Sequence, residues 1–302
     1  YLSISKNSQK HLENKYKIYL YLGEDKNAFK VLKSLHENYP SIRTARTISN
    51  YYLSNNDEEK SDLIIQSFFE KNKSYSDLYK GIRHAKAGRN KLAEESYKNV
   101  LSKDNKNVDA LRLLGLLAFK NNNHDIAEKL LIRAIQLDPY FHLLWDNLAK
   151  VFRVQNKLEE SKKAFENLIK LDPKNNEAFV ALGTIYNKLA QYKDGINSYK
   201  KALKLNDNNA RVYLSMGHAL KTLGNRKECE DSYLKAIKLF PLSGEGYWSL
   251  ANLKTYTFNE SQILAMKSAI KEDMHEQEKI QMMFALGKAY ESKKDFKESF
   301  KF

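Results

Sequence analysis

The chain has 302 residues, of which 42% are hydrophobic and 29% are charged, and these values exclude a disordered or collagen-like protein. Its 11 glycines and 4 prolines are too few for a turn-rich β-sandwich. The 51 basic and 37 acidic residues leave a net charge of +14, which favours an acidic partner unless the lysines only solvate helix faces. No apolar run approaches the ~20 residues that cross a bilayer. We therefore expect a soluble, helical protein of the cytoplasm.

Residues 1–107 carry helical patterns that repeat imperfectly. A first pair of helices is indicated by Leu12, Tyr19, Ala28, Leu32 and Pro40, and another, within residues 74–107, by Gly81, Ala93 and Tyr97. Two more helical patterns lie between them, in residues 41–75. They lack small residues at the expected spacing, so their register stays open.

Residues 108–243 repeat with a period of 34, and such a period decides the architecture. A bulky residue recurs once per period, at Leu111, Trp145, Phe179, Tyr213 and Tyr247. A small residue follows four places later, at Gly115, Ala149, Gly183, Gly217 and Ala251. A second series of small residues has the same step, at Ala93, Ala127, Ser161, Gly195 and Cys229. Three copies close with Pro139, Pro173 and Pro241, because proline cannot continue a helix.

This pattern resembles the tetratricopeptide repeat (TPR) family, whose signature is W-x2-L-G-x2-Y…A-x3-F…P. The copy in residues 176–209 matches best, with Phe179, Leu182, Gly183, Tyr186, Gly195, Tyr199 and Ala202. The resemblance implies an all-α fold, a right-handed TPR superhelix that is an α-solenoid of antiparallel helix pairs. Each pair buries its apolar face only by stacking on its neighbours. We predict that Gly183 and Gly217 are small so that the facing backbone can approach.

From Tyr247 onward the chain departs from the repeat. We predict a second helix that starts early, and then a final copy that opens at Leu286, Gly287 and Tyr290 and is cut at Phe302. This stretch resembles the junction that precedes the catalytic domain in bacterial TPR-sulfotransferase proteins. The resemblance implies a domain beyond Phe302 that uses 3′-phosphoadenosine-5′-phosphosulfate. The predicted division is therefore 1–107, degenerate repeats; 108–243, four regular repeats; and 244–302, an atypical repeat with a truncated final copy or linker.

No pattern of an active site is present in the chain. The phosphate-binding, nucleophile-elbow and zinc-protease motifs are all missing, and the seven histidines are scattered singly. Cys229 stands where neighbouring copies have alanine, serine or glycine, so a small core residue explains it better than a nucleophile does. We predict no catalytic residue, no metal and no cofactor for this chain.

The TPR resemblance places a ligand groove on the first helix of each repeat. Carried onto this sequence, it predicts a peptide-binding set that consists of Arg112, Lys120, Lys150, Arg153, Asn187, Lys188, Arg211, His218 and Lys221. Cations predominate, so the predicted ligand is a protein or peptide with an acidic segment or a free carboxyl terminus. The alternative is that these residues are simply exposed. Nucleic acid is disfavoured, because most aromatic residues stand in packing positions.

Two specialised TPR classes do not fit. Val180 and Ala181 break the two-carboxylate clamp of chaperone-tail receptors, and Asn147 alone matches the asparagine ladder of protein O-glycosyltransferases. The function that the sequence favours is a non-catalytic scaffold that recruits a substrate or partner for a larger bacterial sulfotransferase-family protein. A stand-alone assembly adaptor and, less favoured, an RNA-binding helical repeat are the alternatives.

Overall fold

The computed structural model describes residues 9–71, 75–253, 256–270 and 274–302, and all regular elements in these ranges are helices. The chain forms two compact units, residues 1–117 and 118–302. The helices that begin in the N-terminal unit are α1 Gln9–Tyr21, α2 Asp25–Asn38, α3 Ile42–Ser54, α4 Glu58–Lys71, α5 Ser76–Lys86, α6 Asn90–Lys103 and α7 Val108–Lys120. Those of the C-terminal unit are α8 His124–Leu137, α9 His142–Val154, α10 Leu158–Leu171, α11 Asn176–Lys188, α12 Tyr192–Leu205, α13 Ala210–Thr222, α14 Arg226–Leu239, α15 Gly244–Ala251, α16 Glu260–Ala269, α17 Glu276–Ser292 and α18 Phe296–Ser299.

The period seen in the sequence is visible directly in the helix boundaries. First helices of 13 residues begin at Val108, His142, Asn176 and Ala210, and second helices of 14 residues begin at His124, Leu158, Tyr192 and Arg226. Within the C-terminal unit, α9 packs on α10, α11 on α12 and α13 on α14, and each pair packs on the next. The predicted all-α fold of TPR helix pairs is confirmed.

Local chemistry explains where the regular helices start. Each second helix of the regular repeats has an acidic residue in its first turn: Asp125, Glu159, Asp194 and Glu228. The negative charge stabilises the helix because it lies at the positive end of the helix dipole. Three first helices are capped by asparagine side chains, since Asn107 accepts from the N–H of Ala110, Asn175 from that of Ala178 and Asn209 from that of Val212.

The turn between the two helices of a repeat contains one residue with positive φ. In five successive copies this residue falls at the same repeat position: Gly88, Asn122, Asn156, Ala190 and Gly224. Glycine and asparagine tolerate this conformation, whereas alanine is sterically strained at Ala190, where φ is 57°. This series was not predicted, although its Gly and Asn residues carry a signal for positive φ in the sequence.

The glycines in the first helices make room for more than the predicted backbone approach. A Cβ added to Gly183 would lie 2.6 Å from the ring of Tyr199, and one on Gly217 would likewise overlap the ring of Tyr233. Both tyrosines belong to the second helix of the same repeat and are fully buried. The facing backbone is also close at Gly183, because a Cβ on Gly195 of α12 would lie 3.2 Å from the Gly183 carbonyl oxygen. The prediction did not include the tyrosine ring that lies over each glycine.

The register of residues 41–75 follows from a pair of serines. Ser49 on α3 and Ser61 on α4 are buried, and their hydroxyl oxygens lie 2.6 Å apart. Their separation along the chain equals that of Ala149 and Ser161, where the Ser161 hydroxyl donates to the Ala149 carbonyl at 2.8 Å. The small-residue positions are therefore present. They precede Gly81 and Ala93 by slightly less than one regular period, so a search at the regular step does not find them.

The segment 244–302 departs from the repeat in another way than predicted. The first helix α15 starts in register but ends at Ala251, whereas α16 begins at Glu260, one full repeat period after Arg226. The second helix α16 therefore begins in register with the repeat, and the departure is that the first helix α15 ends early. Instead of pairing with α16, α15 packs closely on the long helix α17, where a Cβ on Gly244 would overlap the backbone carbonyl of Glu278.

Candidate functional site

The first helices of the C-terminal unit lie side by side. The Asn187 side chain on α11 donates to the backbone carbonyl of Ser215 on α13 at 3.4 Å. His218 on α13 in turn lies 3.1 Å from the carboxylate of Glu245 on α15, measured from Nε2 to Oε1. These contacts join the first helices α11, α13 and α15, and α9 stacks next to them because its partner α10 packs on α11. The outward side chains of these helices form one surface.

Five of the predicted ligand residues are exposed cations of this unit: Lys120, Arg153, Lys188, Arg211 and Lys221. We call the four on α9, α11 and α13 the first-helix face: Arg153, Lys188, Arg211 and Lys221. Arg153, Lys188 and Lys221 make no ion pair with any residue in the described ranges. Such unpaired guanidinium and ammonium groups remain available to an anionic ligand.

Two other predicted ligand residues are already engaged. Lys150 pairs with Asp146 one turn earlier on α9, at 2.7 Å. Asn187 is half-buried, and its amide also reaches the hydroxyl of Tyr199 at 3.4 Å. Both side chains therefore have partners within the protein before any ligand is considered.

Arg112 belongs to the N-terminal unit and lies beside the buried Tyr97. Burial lowers the pKa of the Arg112 guanidinium to about 10, although the nearby Tyr97 opposes the shift. The group keeps its positive charge at neutral pH. Burial also raises the pKa of Tyr97 to about 12, against the effect of the Arg112 charge.

Tyrosine hydroxyls of second helices form hydrogen bonds with side chains of first helices. Tyr199 donates to the hydroxyl of Thr184 at 3.3 Å, and Tyr233 lies 2.9 Å from Nδ1 of His218. Thr184 and His218 occupy the same repeat position in successive copies. Burial raises the pKa of both phenols, so they stay protonated. One ring nitrogen of the predicted ligand residue His218, Nδ1, is therefore fixed by a hydrogen bond with Tyr233 of the same repeat.

The other nitrogen of His218 faces Glu245, a residue that the sequence analysis missed. The hydrogen bond from His218 lowers the pKa of Glu245, with smaller contributions from the charges of His218 and Arg211 and against partial burial. Glu245 stands in the first turn of α15, and it is the fold that brings it across to α13. No local sequence signal distinguishes it from the other acids at helix starts.

The groups that could suggest chemistry are placed in the core or apart. Cys229 is fully buried, and burial raises the pKa of its thiol despite a hydrogen bond with Tyr233. In the part of the chain that the structure describes, no three His, Cys, Asp or Glu side chains are grouped so that they could hold a metal ion.

The family comparison identifies the repeats independently. A model described as TPR repeat matches residues 183–224, a tetratricopeptide repeat model matches 84–150, and a second one matches 143–175 and 210–241. The chain therefore contains tetratricopeptide repeats. It is a scaffold of the class that TPR arrays form for protein–protein interaction. Comparison with curated proteins finds no match.

Solved structures give the same fold. A crystal structure of MamA matches with a TM-score of 0.51 and 24% identity, over 53% of this chain and 93% of MamA. MamA MSR-1 matches with a TM-score of 0.50 and 25% identity over 55% and 96% of the two chains, and MamA AMB-1 with 0.51 and 25% over 55% and 91%. Because 418 solved chains match, the fold is shared widely and does not by itself select a ligand.

A membrane span was also sought among the helices. None of those in the described ranges is both long and apolar enough to cross a bilayer. Residence in the cytoplasm stays a prediction from the sequence.

Proposed function

We propose that this chain is a non-catalytic scaffold that binds an extended, acidic protein segment, or a carboxyl terminus, along the first-helix face. The observation that carries the proposal is the combination of adjoining first helices with cations that lack a carboxylate partner. Hydrogen bonds join α11 to α13 and α13 to α15, and Arg153, Lys188 and Lys221 stand exposed on α9, α11 and α13. An extended segment that crosses these helices would meet one cation on each of them.

The placement of the charges favours an extended ligand over a compact one. Arg153 and Lys221 occupy the same repeat position two copies apart, with Asn187 in the copy between them, and Lys188 follows Asn187 directly. A single small anion would contact one helix only. A peptide with several carboxylates can form a charge-assisted hydrogen bond on each of the three.

A binding titration with matched variants tests the proposal. The probe is a fluorescein-labelled peptide of alternating glutamate and serine, with a glutamine version as the neutral reference. The triple variant Arg153→Gln, Lys188→Gln, Lys221→Gln should weaken binding about tenfold or more, since each exposed charge contributes up to about 1 kcal/mol. The control removes the same charge from the exposed ends of second helices, as Lys170→Gln, Lys204→Gln, Lys238→Gln.

The control variant should change the affinity less than about twofold. Equal weakening by both variants would mean that only the overall charge attracts the peptide, and the proposal would be wrong. Replacing the probe with single-stranded RNA at two salt concentrations tests the nucleic-acid alternative. Tight binding with a steep loss at higher salt would favour it.

The larger context is a finer proposal that rests on the resemblance of residues 244–302 to a bacterial TPR-sulfotransferase junction. It would make this scaffold the recruiting region of an enzyme that uses 3′-phosphoadenosine-5′-phosphosulfate. The early end of α15 shows that the segment is atypical, but such a departure is not specific to sulfotransferases. The coding sequence past Phe302 tests the idea. A strand followed by a Gly/Ser/Thr-rich loop and a helix would support it, and a nearby stop codon would favour the stand-alone adaptor.

A further inference from the structure

The carboxylate of Glu245 on α15 lies at the end of the proposed binding surface, next to α13. Its Oε1 lies 3.1 Å from Nε2 of His218, and the two side chains keep 45% and 42% of their exposure. Arg211 stands two turns before His218 on the same helix and acts on the same carboxylate. One carboxylate of the chain itself therefore already occupies the hydrogen-bonding position at Nε2 of His218, within the field of the Arg211 charge.

The donor at this position is built into the fold. Nδ1 of His218 is held by the Tyr233 hydroxyl at 2.9 Å, and the two ring centroids are 5.4 Å apart. Tyr233 is fully buried against Gly217, so the imidazole cannot swing freely. Nε2 is thereby directed towards α15.

The two preceding first helices are arranged differently at this repeat position. There α11 has Thr184, whose hydroxyl donates to its own helix at the Val180 carbonyl. At the same position α9 has Lys150, which pairs with Asp146 of its own helix. At α9 and α11 these partners, Asp146 and the Val180 carbonyl, therefore belong to the same helix. Among these three first helices, α13 alone has a partner at this position, Glu245, that comes from the next first helix.

We propose that Glu245 is an internal stand-in for the ligand: its carboxylate fills the anion position at Nε2 of His218, and an acidic protein segment binds there by displacing it. The inference rests on the proposed function. It names a residue, Glu245, that sets the affinity of the chain for the acidic segment. Displacement requires little free energy, because a half-exposed ion pair contributes little. A ligand with several carboxylates replaces this one contact and gains others on neighbouring helices.

The charged and titratable groups around His218 are consistent with an exchange of one carboxylate for another. Arg211 and Lys221 lie on its own helix, Tyr233 and Cys229 on α14, and Glu245 on α15, whose backbone N–H donates to the Glu278 side chain of α17 at 3.1 Å. When Glu245 leaves, the imidazole can donate Nε2–H to the incoming carboxylate while Nδ1 keeps the Tyr233 hydroxyl.

The test measures the affinity of the alternating glutamate–serine peptide for the whole chain and for Glu245→Gln. Removal of the competitor should tighten binding about two- to fivefold. The matched control is Glu177→Gln, because Glu177 is an exposed first-turn acid at the same repeat position on α11 and has no ion pair in the described ranges. Glu177→Gln changes the net charge by the same amount as Glu245→Gln. Any tightening by Glu177→Gln therefore measures the effect of net charge alone, and it should be smaller than the tightening by Glu245→Gln. Adding His218→Gln to Glu245→Gln should abolish the gain.

The outcomes separate this inference from the proposed function. If the wild-type chain binds the peptide but Glu245→Gln binds no tighter, or Glu177→Gln tightens binding as much, the inference is wrong and the scaffold proposal stands. If neither the wild type nor Glu245→Gln binds, both are wrong. Circular dichroism verifies that each variant is folded. Should Glu245→Gln unfold, Glu245→Asp retracts the carboxylate by one methylene and should give a smaller gain of the same sign.

Discussion

Two stretches of the C-terminal unit use the same repeat spacing with different results. Between α9 and α14, each first helix packs on its own second helix, and a buried tyrosine or phenylalanine such as Tyr233 fills the contact in the last three repeats. In residues 244–302, α15 stops at Ala251 and packs on α17 instead. Phe258 from the following loop is buried in the core, and a cleft of about 330 Å³ opens beside Asn252, Tyr256 and Lys288. Packing partners are therefore not decided by helix positions alone.

The sharpest way to break this contrast is to separate α15 from α17. Gly244→Ala places a Cβ into the Glu278 carbonyl, and backbone cannot yield as a side chain can. We expect a loss of about 3 kcal/mol in the free energy of unfolding, measured by urea denaturation. The control is Gly246→Ala, whose Cβ would meet two side chains before any backbone, with Ile237 at 2.8 Å and Ser243 Oγ at 3.4 Å. Equal losses in the two variants would show that backbone contact is not what joins α15 to α17.

The regular stretch is tested by a double-mutant cycle at Gly217 and Tyr233. Gly217→Ala should cost about 2 kcal/mol, because the Tyr233 ring fills the space of the new Cβ. The double variant with Tyr233→Phe recreates the pair that stands at Ala149 and Phe165, both buried. Freed from His218, the ring can shift, so the two costs should be less than additive by at least about 0.5 kcal/mol in urea denaturation. Simple additivity would contradict the ring-in-glycine packing.

The turns of the regular repeats offer a smaller effect of opposite sign. Ala190→Gly should stabilise the chain by about 0.5–1 kcal/mol, since φ of 57° strains alanine, although the more flexible glycine offsets part of the gain. Gly224→Ala, at the same repeat position in the next copy, should destabilise it by a similar amount. Thermal unfolding followed by calorimetry compares the two. A fall in melting temperature for Ala190→Gly would contradict the proposed strain.

The junction between the two stretches should show a weak dependence on pH. The hydrogen bond from His218, with smaller contributions from the charges of His218 and Arg211, lowers the folded-state pKa of Glu245 below its ordinary 4.5. Its contribution is therefore complete above about pH 4.5 and is lost as the pH falls towards the lowered value. Because the side chain is half-exposed, we expect less than about 1 kcal/mol. Urea denaturation between pH 6 and pH 3 should show the dependence in the wild type and a flatter curve in Glu245→Gln.

The sequence predicted the repeats well because their rules are local. Small residues at a fixed step, acids at helix starts and prolines after helix ends report on contacts within one or two helices, and these predictions agree with the helix boundaries. The pair Ser49 and Ser61 escaped notice only because that copy lies slightly closer to its neighbour than the regular period. The expectation of an early second helix failed because nothing local reveals that α15 ends at Ala251.

The sequence predicted which residues form the candidate site, but it did not predict which of them already have partners within the protein. Lys150 and Asn187 were counted as ligand residues, yet their side chains have partners within the protein. Arg153, Lys188 and Lys221 remain exposed. The Lys150 pair lies within α9 and follows from the i, i+4 spacing of Asp146 and Lys150, whereas the contact of Asn187 with the Ser215 carbonyl depends on the neighbouring first helix.

By itself, then, the order of amino acids determined the length of the repeat, the pairing of helices in the regular stretch and the surplus of positive charge. Only the tertiary structure decided that α15 packs on α17 and that Glu245 faces His218. The physical reason is range: helix formation and capping act over a few residues, whereas a hydrogen bond between side chains of different repeats exists only once those repeats are stacked at a particular angle and depth.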